Sequence, residues 1–293
     1  MTRTLIPALL GALALAGCTT YTGTPAQAPP IEPGSIVWPT TPFDCSTLAA
    51  EPDKPAELPE GAGRITLCNE PGHPIELVPP PDALVEDPLA VVAAYHDQEH
   101  ADLASMACTA DLGPAYRLVV EYPEGQVVTL RGELYGCRVV GDKTGAQHVL
   151  DAFTQALATQ RQTQPPPEVD PLAGAACGHN LGGGSWIAAA MDDTVAGYRC
   201  LADDADPVLL GADDWATLRD DWAANAHEGP RTGDELADCT QSTADVLTGV
   251  TPWGEGLSLH GLCGVFESWP TRGAEPWVWR PGPAASEVLA RQG

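Results

Sequence analysis

His96, Glu99 and His100 stand in the order H-x-x-E-H within YHDQEH (95–100). Residues four apart on an α-helix lie on one face, one turn above the other. Two imidazoles so spaced can share a zinc ion, and the intervening carboxylate can then serve as general base. The surrounding stretch 87–107 reads as the longest helix of the chain, with Leu89, Val92 and Ala93 facing inward. The same text also reads as the polar, wet end of an amphipathic helix. A third ligand is wanting: Glu121, Glu124 and Glu133 fall in or beside a predicted hairpin, not on a second helix. No residue is therefore assigned as catalytic, and no metal or cofactor is assigned.

The spelling at 96–100 resembles the inverzincin metallopeptidases over five residues, and that resemblance implies a secreted zinc-dependent hydrolase as an alternative function. Other motifs are weaker. LGGGSW (181–186) has glycines and a serine but neither the G-x-S-x-G elbow nor a P-loop lysine, and it reads as a turn into a strand. The calcium-loop template fails on 203–214, where Val208 and Leu209 occupy positions that need oxygen ligands.

Nine cysteines carry the remaining chemistry. The first, Cys18, stands apart. Arg3 supplies a positive charge, Leu5 to Ala16 is an apolar run too short to span a bilayer as a helix, and Leu15-Ala16-Gly17-Cys18 follows. This arrangement resembles the lipobox signal peptide of bacterial lipoproteins. The resemblance implies a signal peptide over 1–17, cleavage before Cys18, and a diacylglycerol thioether on Cys18. It also implies membrane attachment on the extracytoplasmic face, since two acyl chains suffice for stable anchoring. Residues 18–44, rich in Pro and Thr, read as a solvated tether.

Eight cysteines remain: Cys45, Cys68, Cys108, Cys137, Cys177, Cys200, Cys239 and Cys263. An even number in an exported chain reads as a disulfide framework. Cys177, Cys200, Cys239 and Cys263 follow Cys45, Cys68, Cys108 and Cys137 by 132, 132, 131 and 126 residues. The recurrence suggests an internal duplication. A first half (45–161) and a second half (177–293) are joined by a Pro-rich linker (162–176) read as a stiff spacer. Each half is expected to be α+β, with disulfide-stapled β-hairpins packed by helices.

The second unit shows the expected pattern best. YRLVVEY (116–122) alternates, PEGQ (123–126) turns, and VVTLRGELYGC (127–137) returns. A helix over 144–161 follows, with Val149, Phe153, Ala156 and Leu157 on one stripe. The stretch 185–200 reads alike, as SWIAAAM, then DDT, then VAGYRC, and 211–226 reads as a helix with Trp215, Leu218 and Trp222 on one face. Sequential pairing is expected: 45–68, 108–137, 177–200 and 239–263. Each closed loop contributes about 3 kcal/mol in the chain-entropy model.

Composition bounds the partners. Forty acidic residues against 14 basic ones give a net charge of −26. Phosphate binding needs Lys and Arg, so nucleic acid is not an expected partner. Trp253, Trp269, Trp277 and Trp279 gather near the end of the chain, either as packing or as an aromatic contact surface. The body resembles uncharacterised secreted actinobacterial proteins, which implies no activity. The expectation is a lipid-anchored, non-enzymatic binding or interaction module of the cell envelope, with an envelope protein or a ligand as its partner.

Overall fold

Tyr116, Leu118 and Val120 alternate with Arg117, Val119 and Glu121, and the strand expected from that period forms. The structure is a computed structural model. It describes residues 37–49, 58–173, 175, 177, 184–187, 190–201, 206–229, 245–268 and 276–291. Strands β1 (Arg64–Asn69), β2 (Ala115–Glu121) and β3 (Val127–Glu133) make an antiparallel sheet in the order β1-β2-β3. The β2–β3 turn closes with the Tyr122 amide donating to the Gln126 carbonyl at 2.9 Å, and Gly125 supplies the positive φ of 81° that the turn requires. Helices α1 (Pro88–His96) and α2 (Ala146–Thr163) cover one face. Val149, Phe153 and Leu157 are fully buried against Leu67, Leu118 and Leu130 as the helical stripe predicts, and Ala156 packs at the margin.

The second sheet has seven strands: β4 (Ala196–Cys200), β5 (Val208–Leu209), β6 (Ala226–Glu228), β7 (Asp245–Val250), β8 (Gly256–Leu262), β9 (Val265–Ser268) and β10 (Trp277–Trp279). Their order is β5-β4-β7-β8-β9-β10-β6, antiparallel at every pairing. Helices α3 (Ala212–Asn225) and α4 (Pro283–Arg291) close its core, where Trp215, Leu218 and Trp222 meet Leu247, Leu259 and Trp279. The fold is α+β. Its disulfides join Cys45 to Cys68, Cys108 to Cys137, and Cys177 to Cys200, as sequential pairing expects. Cys263 is also disulfide-bonded, while Cys239 lies outside the described residues.

Several expectations are corrected. The helix expected over 87–107 ends at His96, and α2 is longer. The cause is a competing set of bonds. The Lys143 ammonium donates to the His96 and Gln98 carbonyls at 3.0 and 3.1 Å, satisfying helix-end acceptors that another turn would otherwise take up. Residues 99–101 then pair with 142–144 in extended form: Thr144 N–H donates to the Glu99 carbonyl, and Ala101 N–H to that of Asp142.

Among the described residues the hairpin expected over 185–200 does not form. Ser185 pairs instead with Val78, in parallel, and Met191–Asp193 is a single 3-10 turn. Burial decides this. Trp186 is 1% exposed in the core of the first sheet, its indole N–H donates to Asn69 Oδ1 at 2.8 Å, and its ring meets Tyr116 edge-on. Burying an indole outweighs a few local strand bonds.

The expected tether and linker are partly packed. Trp38 lies over Gly63, where a Cβ would stand 2.1 Å from its ring, and Phe43 N–H donates to Thr66 Oγ1. Residues 1–36, with Cys18 and the signal segment, lie outside the described residues. Pro166, Pro167, Val169 and Pro171 line an apolar cavity of about 250 Å³ together with Val195, Ala196 and Val250 of the second half. The segment thus lies against the β4 side of that sheet. The described residues from Trp38 onward form one compact unit.

One buried phenol gives a pH prediction. Tyr122 donates to the Pro59 carbonyl at 3.0 Å, and burial pushes its pKa up to about 12. A tyrosine whose folded pKa is raised contributes stability that is complete below the unfolded value of about 10 and is lost as pH climbs toward 12. Denaturation midpoints measured from pH 9 to 12 should fall across that window, and the fall should be shallower in Tyr122→Phe.

Candidate functional site

The H-x-x-E-H residues are not brought onto one helical face. His96 is the last residue of α1, and its Nε2 lies 2.9 Å from the Leu58 carbonyl oxygen. His100 sits beyond the helix, exposed, with Nδ1 3.3 Å from Asp142 Oδ2. Asp142 also accepts the buried Tyr95 hydroxyl at 2.8 Å. That bond holds the Asp142 carboxyl below its ordinary range against the opposing effect of burial, with lesser help from His100. Glu121 pairs with Arg64 and Glu133 with Arg131, so neither supplies a third ligand. Among the described residues no group of three or more His, Cys, Asp or Glu side chains is placed to hold a metal ion.

The arrangement with most chemical content lies at one end of the second sheet. Arg199 on β4 and Asp245 on β7 form an ion pair in which Nε donates to Oδ1 at 2.8 Å and Nη2 donates to Oδ2. Nη1 donates to the Leu289 carbonyl in the last turn of α4, capping an acceptor the helix leaves open. Arg199 is 8% exposed. The pair forms the floor of a cavity of about 340 Å³, walled by Gly261, Gly264, Phe266, Pro281, Ser286 and Leu289. Of the five guanidinium N–H groups, three are engaged in these bonds among the described residues. The Asp245 oxygens keep acceptor capacity.

The first sheet has a comparable strand register. Arg199 pairs with Leu247 and Leu247 with Leu259; in the first sheet Leu67 pairs with Leu118 and Leu118 with Leu130. One step along, Asp245 stands opposite Gly261 as Tyr116 stands opposite Gly132. Tyr116 is fully buried over Gly132, whose Cβ would stand 2.1 Å from the ring, and its hydroxyl donates to the Ala146 carbonyl at 2.6 Å. The shorter Asp245 does not reach over Gly261. Phe266 covers Gly261 from the next strand instead, backed by Trp279 at 5.3 Å between ring centres.

Sequence reasoning passed over Arg199 and Asp245. The available signal was a charge between Gly197 and Cys200 at an inward position of a strand, but it becomes visible only once the strand register is known. The terminal tryptophans divide as packing requires. Trp279 is buried, with its indole N–H donating to Asp221 at 2.8 Å; Trp277 packs at the margin of the core; Trp253 stacks on Arg161; Trp269 lies outside the described residues. No protein-family model, no curated protein and no solved structure matches the chain.

Proposed function

We propose that the chain is an extracytoplasmic, lipid-anchored binding module that holds a small ligand in the Arg199–Asp245 pocket. The observation that carries this reading is the pocket itself. A charged pair lines a cavity of mixed polar and apolar surface, at strand positions comparable to those where the first sheet carries the buried, uncharged Leu67 and Tyr116. Small-molecule sites are commonly concave and apolar with a few convergent polar groups. Beyond the bonds that Arg199 and Asp245 make to each other and to Leu289, hydrogen-bonding capacity remains beside the cavity, and that supports a binding role.

Location rests on the lipobox resemblance at Leu15 to Cys18 and is supported by a disulfide framework suited to an oxidising compartment. Duplication of an ancestral half belongs to the same reading. Its support is a shared order of a cysteine-bearing strand, a helix, a hairpin and a helix, as β1, α1, β2–β3, α2 and as β4, α3, β7–β8, α4, the second half adding β5, β6, β9 and β10. The matching registers noted above agree with it.

Two measurements test the proposal. Mass spectrometry of the protein from bacterial membranes should show a diacylglycerol-modified N-terminal cysteine, and Cys18→Ala should leave the membrane fraction. Wild-type protein in the cytosol with reduced cysteines would sink the assignment. For the pocket, a small-molecule panel should contain compounds that raise the melting temperature of the wild type but not of Ser286→Trp, whose indole would fill the mouth.

A further inference from the structure

The chemistry of the pocket narrows its ligand, an argument that rests on the pocket being a ligand site. We propose that it takes a neutral polyhydroxylated molecule of monosaccharide size, with adjacent hydroxyls between Arg199 and Asp245 and an apolar face toward Phe266. The floor is balanced in charge. An anion entering it would meet Asp245 and the carbonyl end of α4, within a molecule of net charge −26. A cation would meet the Arg199 guanidinium. A hydroxyl both donates and accepts, so two neighbouring hydroxyls satisfy the uncommitted guanidinium N–H groups and the Asp245 oxygens together.

The walls fit the same class. Phe266, Pro281 and Leu289 present apolar surface beside that polar floor, which suits the C–H face of a pyranose. The volume of about 340 Å³ lies at the low end for small-molecule sites, about 300–1,000 Å³. The first sheet acts as an internal control. At the matching positions it carries Leu67 and Tyr116, both fully buried, so this strand arrangement does not itself require a charged pair.

The test is an amide NMR titration of the isotope-labelled, oxidised chain with glucose and N-acetylglucosamine, and separately with acetate and ethylammonium. A single monosaccharide should saturate the amides of Gly261, Gly264 and the last turn of α4 with a Kd of about 1–10 mM. Ser286→Trp should weaken that binding at least tenfold. Ala290→Trp, on the same exposed helix wall, serves if the first variant does not fold. Neither substitution touches the ion pair. Saturation of these amides by acetate or ethylammonium, with the sugars silent, overturns the ligand class while leaving the pocket reading in place. Sugar binding of unchanged affinity in both variants overturns the site. Silence with every probe, together with no stabilising compound in the thermal panel, overturns the pocket reading as well.

Discussion

Arg161→Met is expected to lower the unfolding free energy by about 3–5 kcal/mol, because it strands two buried carboxylates. Arg161 lies in the last turn of α2 and reaches from the first half of the chain to the second. Its Nη2 donates to Asp82 Oδ1 and to Glu255 Oε1, each at 2.5 Å, and its Nε donates to Asp82 Oδ2 at 3.1 Å. The guanidinium carbon also sits 4.6 Å from the centre of the Trp253 ring. Asp82 is 6% and Glu255 1% exposed, so neither could recover full hydration if the cation were lost. Burial pulls the Arg161 pKa down, but the hydrogen bonds and charges of Asp82 and Glu255 outweigh it and hold the group above its ordinary value.

The arrangement distinguishes fork geometry from charge. Arg161→Lys keeps the cation but cannot grip two carboxylates and a ring at once, so it should fall between wild type and Arg161→Met. Replacing all three members together, Arg161→Met with Asp82→Leu and Glu255→Leu, should recover most of the loss, since no unpaired charge remains buried. Guanidinium denaturation measures the series. A loss under about 1 kcal/mol in Arg161→Met would show that water screens the bridge and that other contacts join the halves.

The second large effect belongs to a glycine pair. Gly197 on β4 stands directly opposite Gly249 on β7, and the Trp215 indole of α3 lies in the slot they leave. A Cβ on Gly197 would come within 2.2 Å of Trp215 Cζ3, and one on Gly249 within 2.7 Å of Thr194 Cγ2 and 3.0 Å of Trp215 Cζ2. Trp215 is 2% exposed and has no room to move in a close-packed core. Gly197→Ala should therefore cost about 3 kcal/mol, and Gly249→Ala somewhat less. Trp215→Leu should be destabilising alone but should cancel part of the Gly197→Ala penalty, giving a coupling of about 1 kcal/mol or more in a double-mutant cycle. Strictly additive losses would mean that the penalty at Gly197 arises elsewhere than at the indole.

Both effects depend on partners far apart in the chain, and that separates what could be read from what could not. The β2–β3 hairpin was legible because alternation and a Gly-containing turn are local. The α2 stripe of Val149, Phe153 and Leu157 was legible for the same reason. Three cysteine pairs followed from sequential spacing, since they close short loops of 23, 29 and 23 residues.

The helix through YHDQEH was misjudged where Lys143, 47 residues beyond His96, caps α1. Trp186 was placed in a local hairpin, yet it is buried in the other half, 117 residues from its partner Asn69. Arg199 and Asp245 carry no periodic signature. Their pairing, the cavity above them and the bond to Leu289 all arise from register and helix packing. Alternation, turn residues and cysteine spacing are short-range properties, and the sequence by itself determined the elements they govern. Burial of an indole, the closing of an ion pair and the cavity above that pair depend on what packs opposite, and only the tertiary structure decided those.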